Sequence, residues 1–203
     1  ADAAVRAGRW PQLELGPREL TGSRVGVLGF GPIGAQAARL FAALDCDVSY
    51  WTRRRRAPEK EQGARYRELD DLIATSDFLV VTIALAETTR GLLDATRLAR
   101  MPRGGYLINA ARGGIVDQRA LVAALSSGAL AGAALDVFET EPLPAGDPLR
   151  DTDRVLLSPH TSGTTPGATH RLIKAVMTNV QAAMEGRPVV HVVNGVSPVV
   201  VRR

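Results

Sequence analysis

The sequence has one cysteine and no long apolar run, and each scarcity excludes a class of protein. Cys46 is the only cysteine among 203 residues, so no disulfide can form within the chain and a reducing, cytoplasmic location is expected. No apolar run reaches the roughly 20 residues that cross a bilayer. The N-terminal stretch ADAAVRAGRW also lacks the apolar centre of a signal peptide. We therefore predict no membrane partner.

Aromatic residues are also scarce and make up only 4% of the chain. The net charge is +4, and much of it comes from the run RRRR at 53–56. Nucleic-acid binding usually combines a basic surface with a recognisable motif, and none of the known motifs occurs in this sequence. We therefore expect a small-molecule ligand and no nucleic acid.

Short β-branched runs alternate with alanine-rich helical stretches along the chain. This alternation is typical of β-α-β units, in which helices join parallel strands. The length is sufficient for one good core and does not require two. The sequence predicts an α/β fold with a doubly wound parallel sheet of the Rossmann type. The predicted strands are 24–30, 47–52, 64–68, 77–85, 104–110, 130–137 and 154–160, and the predicted helices are 32–44, 69–76, 117–128 and 166–185.

The segment GFGPIG places Gly29, Gly31 and Gly34 in the spacing G-x-G-x-x-G. Any tight strand-to-helix turn can produce this spacing, but here it follows a predicted strand and opens a predicted helix, as in a dinucleotide-binding turn. Gly29 permits the tight turn, Gly31 lets the backbone approach a diphosphate, and Gly34 lets the helix pack on the strand. Pro32 has no N–H, so Ile33 is the better hydrogen-bond donor to the diphosphate.

The second predicted strand ends at Thr52, where dinucleotide-binding folds normally have a carboxylate that binds the adenosine ribose. Threonine would not repel a phosphate there, and Arg53 and Arg54 follow directly. Guanidinium groups match the geometry of a phosphate, so NADP(H) is the preferred cofactor, with NAD(H) possible. The alternative is that the four arginines form a solvated loop in which one or two residues contact the ligand. The two interpretations are compatible.

Five motifs occur in an order that resembles a known family. They are GFGPIG, ETTRGLLD (87–94), LINAARGGIVD (107–117), ALDVFETEPLP (134–144) and SPHTSGTT (158–165). With these motifs the chain resembles the D-isomer-specific 2-hydroxyacid dehydrogenase family, which includes glyoxylate, hydroxypyruvate and phosphoglycerate dehydrogenases. The resemblance implies an oxidoreductase that transfers a hydride between NADP(H) and a small 2-keto or 2-hydroxy acid.

The resemblance also implies three catalytic residues. Arg112 matches the family residue that binds the substrate carboxylate, His160 matches the general acid/base, and Glu141 looks like the partner of the histidine. These chemistries suit the reduction of a 2-keto acid, because arginine offers paired donors to a carboxylate and imidazole can deliver a proton near neutral pH. A neighbouring carboxylate would favour the protonated ring.

Further positions match the cofactor site of the family. Asp136 resembles the residue that holds the nicotinamide carboxamide, Asn109 and Ala110 match the loop that lines the cofactor, and Gly163 matches the turn beside the nicotinamide. No metal-ligand spacing links the remaining histidines, so no metal is predicted.

One part of the family pattern is absent. Only 28 residues precede Gly29, whereas family members build a substrate domain from a longer segment before the glycine motif. We therefore expect residues 1–18 to be the end of an inter-domain helix with a linker, 19–185 a dinucleotide-binding domain, and 186–203 a tail that returns to a largely missing substrate domain. The chain is expected to dimerise through its nucleotide-binding domain and to turn over poorly alone.

Two other functions are compatible with the motifs. A non-catalytic, dinucleotide-sensing interaction module, as in the C-terminal-binding corepressors, would share the fold. A dehydrogenase of the formate or phosphite type would share the SPHTSGTT segment. Formate enzymes typically carry glutamine where this chain has Glu141, which disfavours the second of these alternatives.

Overall fold

The structure, a computed structural model, describes residues 2–10 and 18–192. Its first compact unit, which ends at Pro159, contains a parallel sheet with helices packed against it. Seven strands pair in the order β3-β2-β1-β4-β5-β6-β7, so the chain reverses direction across the sheet between β1 and β4. This order confirms the predicted Rossmann fold. The strands are β1 (Arg24–Leu28), β2 (Asp47–Trp51), β3 (Arg65–Tyr66), β4 (Phe78–Val81), β5 (Gly105–Asn109), β6 (Leu130–Leu135) and β7 (Val155–Leu157), and the helices are α1 (Asp2–Arg6), α2 (Pro32–Ala42), α3 (Leu69–Thr75), α4 (Ala95–Arg100), α5 (Gln118–Ser126) and α6 (Pro166–Met184).

Alternating strand residues feed two apolar clusters, as the pleat of a strand requires. In β4, Leu79 and Val81 belong to a cluster that includes residues of α3, α4 and α5, whereas Val80 belongs to a second cluster with Ala38 of α2. Helices therefore pack against both faces of the sheet. This arrangement explains why β4 is nearly all apolar in sequence.

Several strands are shorter than predicted. The run 77–85 was expected to be one strand, but β4 ends at Val81, which pairs with Leu28 at the end of β1. The chain of β1 turns away at Gly29, so β4 loses its neighbour one residue later. The predicted strand 154–160 likewise ends at Leu157, opposite the last residue of β6.

One helix was not predicted from the sequence, α4, whereas α1 lies within residues 1–18, where the end of a helix was expected. The six-residue α4 has no long apolar period, but it begins at a clear cap, because the side chain of Asp94 accepts a hydrogen bond from Arg97 N at 2.8 Å. Asp117 caps α5 in the same way through Ala120 N at 2.9 Å.

The chain divides into two compact units, one ending at Pro159 and the other beginning at His160. The predicted bounds 1–18, 19–185 and 186–203 remain a proposal, and 11–17 and 193–203 lie outside the described residues. Among the helices of the described ranges, none has both the length and the apolar character that crossing a bilayer requires.

The buried carboxylate of Asp77 connects the starts of β1 and β4 through hydrogen bonds. Asp77, only 7% exposed, accepts hydrogen bonds from Arg24 N at 3.0 Å and from the Arg24 guanidinium at 2.9 and 3.0 Å. Arg18 adds an ion pair at 2.8 Å. The hydrogen bonds from Arg24, followed by those from Arg18, hold the pKa of Asp77 well below the ordinary value of 3.8.

We expect Asp77→Asn to lower the free energy of unfolding by about 2 kcal/mol at neutral pH, because hydrogen bonds to a charged group are lost. The folded-state pKa of Asp77 is depressed, so this stabilisation is fully present above pH 3.8 and decreases as the pH falls below that value. Urea unfolding should therefore show the same difference between wild type and variant at pH 7 and pH 5, and a smaller one at pH 3. Asp71→Asn, at an exposed position of α3, is the control; a pH-independent difference would contradict this role of Asp77.

Candidate dinucleotide-binding site

The turn between β1 and α2 depends on its first and last glycines. Gly29 has φ +105°, and a Cβ there would lie 2.6 Å from Ile83 Cγ2. A Cβ on Gly34 would lie 2.0 Å from Gly29 O, closer than any non-bonded contact allows. The first turn of α2 therefore packs directly on the backbone that leaves β1.

The N-terminus of α2 is open where a diphosphate would approach. Gly31 is the N-cap residue and offers no side-chain hydrogen bond to the helix, and a Cβ there would meet no atom within 4 Å. Pro32 and Ile33 follow, both exposed. Backbone N–H groups and the positive end of a helix dipole bind phosphate groups, so this turn fits the diphosphate of a dinucleotide.

The four arginines after β2 divide into two pairs. Arg55 forms an ion pair with Glu61 at 2.9 Å, and this hydrogen bond, with a second one from Tyr50, lowers the pKa of Glu61. Arg56 donates hydrogen bonds to the carbonyl oxygen of Phe30 in the glycine turn. Arg53 and Arg54 are exposed, and within the described part of the chain neither forms an ion pair or a side-chain hydrogen bond, so both are available to a ligand beside the half-buried Thr52.

The loop after β5 holds Ala110 and Arg112 in place through a buried amide. Asn109, 2% exposed, accepts a hydrogen bond from Ala111 N at 3.0 Å and donates one to Arg112 O at 3.1 Å. These two bonds shape the backbone around Arg112. The guanidinium itself is exposed and donates to Ala111 O at 2.6 Å.

The loop after β6 carries Asp136 and Glu141. Asp136 is 6% exposed and accepts a hydrogen bond from Ser158 Oγ at 2.5 Å. Glu141 is exposed, and its Oε1 accepts from Phe138 N at 2.9 Å. A Cβ on Gly113 would lie 1.8 Å from the carbonyl carbon of Phe138, so the loops that carry Arg112 and Glu141 are in direct backbone contact.

His160 and Gly163 belong to the second compact unit and are described within it. His160 is exposed and has φ +54°, a left-handed backbone that non-glycine residues rarely adopt and that clusters at functional sites. The exposed Gly163 lies in the short turn that follows, closed by a hydrogen bond from Thr164 N to Thr161 O at 3.0 Å. Thr165 then caps α6 by accepting from Ala168 N at 3.2 Å.

The structure thus brings most of the predicted site residues to one edge of the sheet. The segments that begin at Gly29, Thr52, Ala110 and Asp136 all follow the carboxyl ends of parallel strands, and the glycine turn lies at the point where the strand order reverses, which is the usual ligand position in this fold. The described residues hold no group of three or more histidine, cysteine or acidic side chains arranged for a metal.

Three residues at this edge were not predicted from the sequence. Thr82 donates a hydrogen bond to Gly29 O at 2.7 Å, Ser158 contacts Asp136 as described, and Arg56 contacts Phe30 O. Each bond joins segments that are 22 to 53 residues apart. A local sequence pattern cannot show a hydrogen bond between distant segments. The one available signal was the position of Ser158 at the start of the SPHTSGTT motif.

The arrangement of an open glycine turn with an arginine and an acidic loop beside it defines a nucleotide-binding domain of the dehydrogenase type. Residues 1–162 match the family model described as the D-isomer specific 2-hydroxyacid dehydrogenase, NAD binding domain. The chain therefore belongs to the D-isomer specific 2-hydroxyacid dehydrogenase family, as the five motifs indicated.

Curated relatives and solved structures agree with this assignment. The glyoxylate reductase of Aeropyrum pernix is 39% identical over 203 residues, covering 96% of this chain and 60% of that relative. The glyoxylate reductase of Thermofilum pendens is 38% identical over 193 residues, covering 92% of this chain and 57% of that relative. The chain thus spans 57 to 60% of the length of these two relatives.

Two solved structures show the same fold. The dehydrogenase from Xanthobacter autotrophicus Py2 in complex with NADPH and MES superimposes with a TM-score of 0.78 at 42% identity, covering 97% of this chain and 79% of that chain. A glyoxylate reductase from Paecilomyes thermophila gives a TM-score of 0.84 at 35% identity, covering 91% of this chain and 56% of that chain.

Proposed function

We propose that this chain is the cofactor-binding part of an oxidoreductase that transfers a hydride between NADP(H) and a small 2-keto or 2-hydroxy acid. The observation that carries the proposal is the shared edge of the sheet, where an uncapped helix start, two exposed arginines and the loops of Arg112 and Glu141 come together. The helix start suits the diphosphate of a dinucleotide, and the two exposed arginines suit an additional phosphate. Arg112 suits the carboxylate of the substrate that accepts the hydride.

The preference for NADP(H) over NAD(H) rests on the end of β2. Thr52 stands where a carboxylate would bind the ribose hydroxyls and repel a 2′-phosphate. Arg53 and Arg54 follow it, and neither is engaged elsewhere in the described structure. Guanidinium groups bind phosphate as a planar fork. The Xanthobacter relative was crystallised with NADPH, which is consistent with this preference.

Each proposed catalytic residue has a separate role in the reduction. NADPH, when bound, supplies the hydride to the carbonyl carbon. Arg112 binds the substrate carboxylate and polarises the adjacent carbonyl. His160 delivers a proton to the carbonyl oxygen, which yields the hydroxyl of the product. The family resemblance assigns to Glu141 the role of partner of the histidine. It assigns Asp136, which accepts a hydrogen bond from Ser158 Oγ, to the nicotinamide end together with Ala110 and Gly163.

Titration with NADPH tests the proposal directly. We expect the nicotinamide fluorescence to change saturably as the chain is added, since the ring enters a drier environment. Any reduction of glyoxylate or hydroxypyruvate, followed by loss of NADPH absorbance, should disappear in Arg112→Ala while NADPH affinity remains. If the chain binds neither NADPH nor NADH, the proposal is wrong.

The same variant separates an enzyme from an interaction module, because a corepressor-like function would survive the loss of Arg112. We further propose a homodimer formed through this domain and a cytoplasmic location in which Cys46 stays reduced. Light scattering on the purified chain measures the first of these: a mass of one chain at micromolar concentration would contradict it.

A further inference from the structure

Arg56 links the loop after β2 to the glycine turn. Its guanidinium donates two hydrogen bonds to the carbonyl oxygen of Phe30, from Nε at 3.0 Å and from Nη2 at 2.8 Å. Phe30 lies between Gly29 and Gly31 in the turn. A carbonyl group with two charge-assisted bonds is held firmly, because each such bond is about twice as strong as a neutral one.

The backbone of Arg56 is fixed as well. Its N–H donates to the hydroxyl of Tyr50 at 3.2 Å, and the same hydroxyl donates to Glu61 Oε1 at 2.8 Å. Burial and the hydrogen bond to Glu61 raise the pKa of Tyr50, so the hydroxyl keeps its proton and the donor direction is maintained. The ring of Tyr50 also stacks on the ring of Phe30, with centroids 3.9 Å apart. Tyr50 therefore contacts both Arg56 and the residue whose carbonyl Arg56 binds.

Fixing the Phe30 carbonyl also fixes a donor in the turn. The oxygen of Phe30 and the N–H of Gly31 belong to one planar trans peptide and point in opposite directions. Arg56 therefore sets the direction of the Gly31 N–H at the uncapped start of α2. Thr82 holds the preceding carbonyl, Gly29 O, at 2.7 Å, so successive peptides of the turn are held from the loop after β2 on one side and the end of β4 on the other.

We infer that Arg56 is a positioning residue for the diphosphate half of the cofactor and not a contact of the 2′-phosphate. This inference rests on the proposed function and assigns different tasks to neighbouring arginines. Arg53 and Arg54 discriminate between the two dinucleotides, whereas Arg56 supports the part of the site that both dinucleotides share.

The comparison of three single variants with NADPH and NADH tests the inference. Arg56→Gln should weaken both dinucleotides by the same factor, about tenfold if one charged hydrogen bond of roughly 1.4 kcal/mol is lost. Arg53→Ala should weaken NADPH alone. Lys60→Gln, at an exposed position of the same loop, should weaken neither, which controls for the charge of the loop.

Two further measurements distinguish positioning from general stability. ADP-ribose carries the diphosphate without the nicotinamide or the 2′-phosphate, so its affinity should fall in Arg56→Gln by the same factor. Arg56→Lys, which keeps one donor and the charge, should recover part of the loss. Affinities are measured well below the melting temperature of each variant, where a purely structural role would leave them unchanged.

The possible failures are separable. If wild type binds no dinucleotide, both the proposed function and this inference are wrong. If wild type binds, but Arg56→Gln and Arg56→Lys lose only NADPH affinity or lose none, the proposed function stands and the positioning role of Arg56 is wrong.

Discussion

Replacing Gly34 by valine should abolish dinucleotide binding and destabilise the chain. The first atom added would lie 2.0 Å from Gly29 O and 2.7 Å from Thr82 Oγ1, and the contacts are backbone or fixed by hydrogen bonds. Either α2 moves away from β1 or the turn is distorted, and overpacking of this kind costs roughly 1 to 3 kcal/mol or more. We expect the affinity for NADPH and NADH to fall more than about 100-fold, which corresponds to 2.7 kcal/mol.

Gly31→Ala is the matched variant, because the same methyl group there meets no atom within 4 Å. It should melt at nearly the same temperature as wild type and yet bind both dinucleotides about tenfold more weakly, since the methyl group occupies the approach of the diphosphate. Thermal unfolding and fluorescence titration on the two variants give the comparison. Wild-type affinity in Gly31→Ala would show that no diphosphate approaches this backbone.

The second large effect concerns cofactor discrimination. The double variant Arg53→Ala/Arg54→Ala should bind NADPH about 100-fold more weakly, if each guanidinium contributes one charged hydrogen bond of roughly 1.4 kcal/mol to the 2′-phosphate. The affinity for NADH should stay within about twofold, because NADH lacks that phosphate. Titrations of both dinucleotides at constant ionic strength measure the ratio.

Salt and a neighbouring arginine provide the controls for this prediction. Arg55→Ala removes one charge from the same loop, so it measures the general electrostatic attraction without the proposed contact. Raising the salt concentration should reduce the NADPH preference of wild type, since exposed charges are screened over about 8 to 10 Å. If NADH binds wild type as tightly as NADPH, the assignment of Thr52, Arg53 and Arg54 to a 2′-phosphate fails.

The sequence was sufficient for the fold class and for most of the elements, because apolar periodicity and glycine spacing report local geometry. It was less informative about where strands end. The run 82–85 after β4 is still mostly apolar, and only the departure of β1 at Gly29 removes its pairing partner. Short α4 was missed for a related reason, since six residues contain too few turns to show a helical period.

For the candidate site, the motifs in the sequence identified the residues themselves, but they did not reveal the hydrogen bonds that hold those residues in place. Asn109 was noted as part of the loop beside the cofactor, yet its two bonds around Arg112 follow from the folded backbone. The four consecutive arginines are chemically identical in sequence. Only the folded chain shows that Arg55 and Arg56 have partners while Arg53 and Arg54 do not within the described residues, and this difference comes from contacts with Glu61 and Phe30.

The hydrogen bonds between Asp77 and Arg24 lie at the opposite end of β1 from the glycine turn, about 16 Å away for five residues at roughly 3.3 Å each. Substitutions at the two ends should therefore have additive effects, since they share no contact in the described structure. A change at positions 52–54 should leave the stability that Asp77 confers unaltered, and a change at Asp77 should leave the ratio of NADPH to NADH affinity unaltered.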